Sequence, residues 1–188
     1  MKGARLEDWE GKIGILIIPP EFYVQISSEI PLEVVTDWDM VGMLVSANKP
    51  YLTVKDNLRF SGILDKLIFV DAASKFSGAN PCGEKIVLID NPANLTELTI
   101  SIMKNIKNLG KKKFLIFDSL TTLLIYTRLE ELTKFAHSLG LMMKTNKVTC
   151  LFLVVDQEAT KEMLSFLSTI ADKYVHLNLN KEGEVIIV

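Results

Sequence analysis

The chain has 188 residues, 48% of them apolar, and its 21 basic and 23 acidic residues leave a formal net charge of −2. This length predicts one domain, residues 1–188, with one substantial core. With so small a net charge, the chain as a whole has no strong positive electrostatic potential that would attract nucleic acid or anionic lipid. No apolar run reaches the roughly 20 residues that are needed to cross a bilayer. The mixed charges of residues 1–11 do not fit a secretory signal, so we expect a cytoplasmic protein without a membrane partner.

Along the chain, short apolar runs alternate with segments of helical periodicity. The predicted buried strands are Ile13–Ile18, Val41–Val45, Leu67–Val70, Phe114–Phe117 and Cys150–Val155. The predicted helices cover residues 50–60, 95–109, 129–139 and 163–170, with Asn94 as the N-cap and Gly110 as the stop of the second. This alternation is typical of an α/β fold with a mostly parallel central sheet and helices on both faces.

Two segments depart from that alternation. Residues 174–179 and 184–188 flank a polar turn that contains Gly183, which predicts an antiparallel hairpin near the C-terminal end. Residues 72–84 hold two glycines and a proline, which predicts an exposed loop.

The cysteines, histidines and clustered lysines do not have the spacing of a catalytic, metal-binding or nucleic-acid-binding site. Cys82 and Cys150 form no close pair with metal-ligand spacing, and no disulfide is expected. His137 falls in a predicted helix and His176 in a predicted strand, with no cysteine or serine placed to form a nucleophile pair. The basic run Lys111–Lys113 is interpreted as a solvated edge, so a nucleic-acid partner is not indicated.

The segment from residue 113 to residue 119 is the most informative part of the chain. Four apolar residues predict a buried strand, and Asp118 and Ser119 follow at its carboxyl end, where open α/β sheets place ligand groups. In P-loop NTPases an acidic residue at such a strand end holds Mg²⁺, because a hard cation that bridges phosphates prefers oxygen ligands. The alternative is that Asp118 caps the following helix.

The order of the later segments strengthens the first interpretation. Asp118 and Ser119 are followed by leucines and small hydroxyl residues up to Leu124, then by the predicted helix and the strand Cys150–Val155, and finally by Ala-Asp before the strand at 173–177. In this order the chain resembles the RecA superfamily, and within it the KaiC-like domains of archaea and bacteria. The resemblance covers most of the chain and implies a RecA-like P-loop NTPase fold.

The segment after the first strand departs from that family. A P-loop needs Gly-x-x-x-x-Gly-Lys followed by Ser or Thr, because glycines let backbone amides wrap the phosphates, lysine contacts their charge and the hydroxyl ligates Mg²⁺. The residues at this position, 18–25, keep Pro19 and Pro20 from one version of the loop but lack the glycines, the lysine and the hydroxyl. Prolines donate no amide hydrogen, and Glu21 adds negative charge where phosphate would lie.

The position of the family's catalytic base departs as well. In the family the second strand is followed by a glutamate pair, whereas here Val45 is followed by Ser-Ala-Asn-Lys. The neutral amide of Asn48 cannot accept a proton from an attacking water. Residues 48–51 are instead similar to a group of archaeal RecA-like relatives that carry Asn, Pro and Tyr at this point.

Other residues near predicted strand ends are weaker candidates for binding a cation or a phosphate. Asp71 and Asp156 would share the sheet edge with Asp118, so a three-carboxylate cation site is conceivable, although helix caps and solvated carboxylates explain both residues as well. Three lysines in loops near strand ends could contact phosphate in an unconventional site: Lys49, Lys75 and Lys85. Four aromatic residues show no basic interleaving that would make a stacking platform for single-stranded nucleic acid and are assigned to core packing: Trp9, Trp38, Tyr23 and Tyr51.

Three functions are compatible with these observations. The first is a non-catalytic pseudo-ATPase without a cofactor, which regulates by binding like subunits or a protein partner, since RecA-type domains commonly assemble side by side. The second is an atypical ATPase that uses Asp118 and Ser119 for metal together with residues of a neighbouring subunit. The third, a receiver-like phosphoacceptor domain, needs an acidic pair after the first strand, where this chain has Pro19 and Pro20, so it ranks well below the other two. We take the first as the prediction, with a vestigial nucleotide and metal site formed by Asp118, Ser119, Pro19, Pro20 and Asn48.

Overall fold

A computed structural model describes residues 8–188, so most of the segment considered as a signal lies outside the described residues. The strands are β1 (Ile13–Ile18), β2 (Val41–Ser46), β3 (Leu67–Asp71), β4 (Ile86–Leu88), β5 (Lys113–Asp118), β6 (Thr149–Val155), β7 (Lys173–Leu179) and β8 (Val185–Ile187). Within the described range they form one eight-stranded sheet in the order β4-β3-β2-β5-β6-β1-β7-β8. All neighbouring strands are parallel except the antiparallel pair β7 and β8.

Helices cover both faces of this sheet. They are α1 (Tyr23–Thr36), α2 (Tyr51–Leu58), α3 (Leu95–Ile106), α4 (Leu120–Leu123), α5 (Leu129–Thr145) and α6 (Lys161–Leu167). The helices α1 and α2 bury their apolar side chains against one face, and α3 to α6 bury theirs against the other. None of the helices in residues 8–188 is long and apolar enough to span a bilayer.

The two helical layers explain the composition of the central strands. Every residue of β1 is buried, as are the last five residues of β5. A strand covered on both faces needs apolar side chains in both directions, so its sequence is a continuous apolar run instead of an alternating one. The predicted α/β class, the mostly parallel sheet and the C-terminal hairpin are confirmed, and each of the five predicted strands is present with at most one further residue at either end.

The boundaries of all four predicted helices differ from the prediction, by up to three residues in α2, α3 and α6 and by six residues at the end of α5. The N-cap at Asn94 is confirmed, because its side-chain oxygen accepts the amide hydrogen of Glu97 at 3.0 Å, but α3 ends at Ile106, before the predicted stop. Helix α5 continues through Gly140 to Thr145. Gly140 packs closely there, since a Cβ at this position would lie 2.9 Å from the side chain of Ile170 and 3.2 Å from that of Ile13 in β1.

The sequence patterns did not reveal three elements, the first of which is the four-residue helix α4. Helix α1 contains Pro31 in its interior, which removes a backbone donor and counts against a helix in any sequence-based reading. Strand β4 has only three residues, all half-buried, at the edge of the sheet. The missing helix matters for function, because α1 starts directly after β1 and its first residue reaches the carboxyl edge of the sheet.

Candidate functional site

Asp118 is the last residue of β5 and lies at the carboxyl edge of the sheet with only 4% of its surface exposed. Its carbonyl oxygen accepts the amide hydrogen of Ala47 at 2.8 Å, which holds the chain after β2 against the end of β5. The hydroxyl of Tyr23 donates a hydrogen bond to Oδ1 of its carboxylate. The acidic strand end predicted from the sequence is therefore present, and it has an internal partner.

Tyr23 reaches Asp118 because the chain turns into a helix directly after β1. Residues Pro20–Phe22 form a single 3-10 turn, in which the amide of Phe22 donates to the carbonyl of Pro19 at 3.1 Å, and α1 begins at Tyr23. Strand β6 lies between β1 and β5 in the sheet, so the tyrosine side chain crosses one strand to reach the carboxylate. Tyr23 is buried, with 7% of its surface exposed.

Lys49 brings a positive charge to the same place. The hydroxyl of Ser46 donates to the carbonyl of Lys49 at 2.7 Å and accepts its amide hydrogen at 3.2 Å, which bends the chain after β2. The ammonium of Lys49 donates to the hydroxyl of Ser27 in α1 at 2.8 Å and lies 5.4 Å from the centroid of the Tyr23 ring, a cation–π distance. Of the three lysines considered from the sequence, this one faces Asp118.

Burial has the largest effect on the pKa values of Tyr23 and Asp118. It raises the pKa of the Asp118 carboxyl, while the hydrogen bond from Tyr23 and the charge of Lys49 lower that pKa and offset part of the effect. Burial, followed by the neighbouring charge of Asp118, raises the pKa of the Tyr23 hydroxyl far above its ordinary value. The tyrosine therefore remains a neutral donor throughout the physiological range of pH.

The remaining predicted site residues take different positions around this pair. The hydroxyl of Ser119 caps α4 by accepting the amide hydrogen of Thr122 at 3.3 Å, and it lies 3.1 Å from the hydroxyl of Thr122. The peptide bond between Asp118 and Ser119 is cis. Ser119 and the exposed Asn48 both lie close enough to the Tyr23 hydroxyl to lower its pKa by hydrogen bonding. Pro19 and Pro20 stay at the end of β1, in the turn before α1.

The space next to Asp118 is small. A cavity of about 10 Å³, lined among others by Asp118, Lys49 and Ser27, lies between α1, α2 and β2. That volume admits about one water molecule, whereas ligand sites usually measure several hundred Å³. Larger concavities lie along α5, on the other helical layer: one of about 470 Å³ lies against α6, and another of about 370 Å³ lies against α3.

The other carboxylates do not extend the site. Asp71 is buried and accepts amide hydrogens from Tyr51, Ala73 and Ser74 at 2.8 to 2.9 Å, so it organises the loop after β3. Asp156 is exposed. Within residues 8–188 no group of three histidine, cysteine, aspartate or glutamate side chains is arranged to hold a metal ion. The conceivable three-carboxylate site is absent from this range.

The remaining candidates are dispersed. Lys75 forms an ion pair with Asp90 and Lys85 donates to the carbonyl of Asp65, so neither side chain joins Asp118. His137 on α5 and His176 on β7 are exposed. Both cysteines are free.

Sequence reasoning assigned Tyr23 to core packing and missed its contact with Asp118. The tyrosine is buried and packs with the core under α1, so that assignment describes its ring correctly. Its hydroxyl, however, is the group that contacts the strand-end carboxylate. The position of Tyr23, five residues after the end of β1, could have signalled this contact only if α1 had been recognised.

The overall fold is that of a RecA-type, KaiC-like α/β domain. One similar solved structure is the KaiC-like protein PH0186 from the hyperthermophilic archaeon Pyrococcus horikoshii OT3, with 16% identity, a TM-score of 0.66 and coverage of 95% of this chain and 78% of that chain. Another is the uncharacterized protein PH0321 from Pyrococcus horikoshii in complex with an unknown peptide, with 13% identity, a TM-score of 0.68 and coverage of 95% and 84%. No protein-family model matches the chain, and no curated protein matches its sequence.

Proposed function

We propose that the chain is a non-catalytic, cytoplasmic RecA/KaiC-like domain, a pseudo-ATPase that acts by assembling with like subunits or by binding a protein partner. The observation that carries the proposal is the hydrogen bond from Tyr23 to Asp118. A residue from the segment where a P-loop would begin occupies the carboxylate that would hold Mg²⁺ in a working NTPase.

The geometry after β1 supports the loss of phosphate binding. A phosphate cradle consists of free backbone amides, and Pro19 and Pro20 have none. The amide of Phe22 is already engaged by the carbonyl of Pro19. Each hydrogen bond to a charged group contributes about 1.5 to 3 kcal/mol, so the loss of several removes most of the affinity for nucleotide.

The charges around Asp118 support the loss of metal binding. A divalent cation would have to displace the Tyr23 hydroxyl and approach the ammonium of Lys49, which lines the same cavity. It would also find no second carboxylate there, because Asp71 is committed to backbone amides. The residues present thus do not fit Mg²⁺ with a nucleotide, and Asn48 offers no base.

The protein-binding part of the proposal has separate support. The solved structure of PH0321, which shares the fold, contains a peptide. Among the described residues, two larger concavities lie along α5, whereas the cavity next to Asp118 is small. A peptide or a like subunit is therefore a more suitable partner than a nucleotide at the strand ends.

The test is a calorimetric titration of ATP and ADP, with and without Mg²⁺, into protein whose assembly state is measured by light scattering. We expect no binding heat and no thermal shift at millimolar nucleotide, whereas a ligand at 100 times its Kd would add about 2.7 kcal/mol of stability. A magnesium-dependent shift would contradict the proposal. The alternative, an atypical ATPase, would be supported if the chain hydrolysed ATP, if Asp118→Ala abolished this hydrolysis and if Asp156→Ala left it intact. Asp156 is a suitable control because it is an exposed carboxylate on the same edge of the sheet.

A further inference from the structure

The segments that lead into β5 and β6 are rich in lysine and contain no acidic residue. Between Glu97 and Asp118 the sequence has five lysines and no aspartate or glutamate, and between Glu131 and Asp156 it has three lysines and again no acidic residue. The strands β5 and β6 are neighbours in the sheet. A chain with a net charge of −2 therefore carries a local excess of positive charge.

Most of these lysines lie near the amino edge of the sheet, opposite Asp118, whereas Lys134 lies near the start of α5. Phe114 pairs with Thr149, so the residues just before them, 111–113 and 147, lie side by side where the two strands begin. Helix α3 ends at the same edge. We call this surface the lysine edge; it consists of Lys104, Lys107, Lys111, Lys112, Lys113 and Lys147.

Among the described residues the lysines of the lysine edge have no ion-pair partner. Five of its lysines are exposed and Lys113 is half-buried. Within residues 8–188 none of the six forms an ion pair, whereas Lys144 and Lys66 near the same edge pair with Asp172 at 2.6 Å and with Asp39 at 3.3 Å.

Helix capping and solubility explain only part of this surface. Helix α3 and helix α5 both end near the lysine edge, and each helix C-terminus carries about half a negative charge, so the two ends together offset about one lysine. Roughly five positive charges remain. Solubility needs charge of either sign spread over the surface and does not favour a contiguous block of one sign.

We propose that the lysine edge binds the phosphate backbone of duplex nucleic acid without sequence preference. Lysine contacts to phosphates supply this kind of affinity. None of the exposed large apolar side chains falls within residues 104–113 or 144–147, so the surface has neither an anchor for a bilayer nor an aromatic platform for unpaired bases. The lysine edge lies at the end of the sheet opposite Asp118, so this inference does not depend on the nucleotide site.

The test is fluorescence anisotropy of the full chain with a fluorescein-labelled duplex of about 20 base pairs and arbitrary sequence. With about five phosphates neutralised, raising the salt from about 50 to about 200 mM weakens binding by roughly 10²–10³-fold. Absence of binding at the lower salt concentration would overturn the proposal. So would binding to vesicles of anionic phosphatidylserine without binding to the duplex.

Two variants with the same net charge separate the lysine edge from a general charge effect. The edge variant carries Lys107→Gln, Lys111→Gln, Lys112→Gln and Lys147→Gln. The control variant neutralises four exposed lysines elsewhere, by Lys55→Gln, Lys134→Gln, Lys161→Gln and Lys181→Gln. Circular dichroism verifies that both are folded. We expect the edge variant to bind the duplex at least about tenfold more weakly than the natural chain. The slope of log K against log salt concentration should become shallower by about 0.9 per lysine removed, and the affinity of the control variant should stay within about twofold of the natural chain. Equal losses in the two variants would overturn the proposal.

Discussion

At the scale of single residues, the buried carboxylate of Asp118 depends on its neighbours. An ionised group in a buried position is costly unless it is paired and hydrogen-bonded. Here the Tyr23 hydroxyl donates to it, and the Lys49 ammonium supplies positive charge nearby. These internal groups stabilise the buried carboxyl of Asp118 from within the chain.

Replacing Tyr23 with phenylalanine tests that dependence. Tyr23→Phe keeps the buried ring but removes the partner of the Asp118 carboxyl, so we expect the free energy of unfolding to fall by about 1 to 3 kcal/mol, the cost of leaving a buried polar group without its hydrogen bond. Urea unfolding measures it. Tyr51→Phe is the control, because its ring packs against Phe69 and no hydrogen bond of its hydroxyl is present within residues 8–188; equal losses in both variants would contradict the prediction.

The raised pKa of Asp118 predicts a pH dependence of stability. Burial raises this pKa above the ordinary value near 4, so the folded state binds the proton more tightly than the unfolded state does. The stabilisation that this group contributes to the folded state is fully present below about pH 4, and it is lost as the pH rises through the pKa of the folded state. Because Asp118→Asn removes the titration, the unfolding free energy of the natural chain minus that of the variant should decrease between pH 4 and pH 7. An increase over that range would refute this prediction.

The sequence identified part of the candidate site and missed its central contact. Asp118 and Ser119 could be placed at a strand end because four buried apolar residues precede them, and Asn48 because the strand before it is equally apolar. The role of Tyr23 could not be predicted, since it depends on where the first helix begins and on the order of strands in the sheet. Both are tertiary properties that no local pattern encodes.

At the scale of elements, the contact between β2 and β5 depends on Gly42. A Cβ at Gly42 would lie 2.3 Å from the backbone carbonyl oxygen of Phe114 and 2.6 Å from its ring. The carbonyl cannot move without disrupting the parallel pairing of the two strands, so Gly42→Ala should cost at least about 1 to 3 kcal/mol. Gly110→Ala is the control, because nothing lies within 4 Å of its Cβ position. Comparable melting temperatures for the two variants would contradict this account.

The elements also show why the fold was easier to predict than the site. The strands β1, β2, β3, β5 and β6 are nearly continuous apolar runs, a signal that can be recognised without tertiary information. Helix α1 was missed because Pro31 interrupts its pattern, and β4 because three half-buried residues carry too little signal. Tertiary packing against the sheet supplies the stability that their local sequences lack.

At the scale of the whole molecule, one sheet serves two cores. The core under α1 and α2 and the core under α3 to α6 pack against opposite faces of the same strands. If one core unfolds with its strands, the other therefore loses the sheet against which it packs. This arrangement supports the proposal that residues 1–188 form a single domain, of which residues 8–188 are described.

The two cores contain separate natural probes that test this proposal. Trp9 and Trp38 stack 5.9 Å apart in the core under α1, whereas Cys150 is buried in the opposite core, where burial raises the pKa of its thiol and suppresses its reactivity. Because the cores share the sheet, tryptophan fluorescence and the reactivity of Cys150 should change at the same urea concentration. A Cys82→Ser background removes the exposed thiol from the assay. Two distinct midpoints would mean that the layers unfold independently and that the single-domain proposal is wrong.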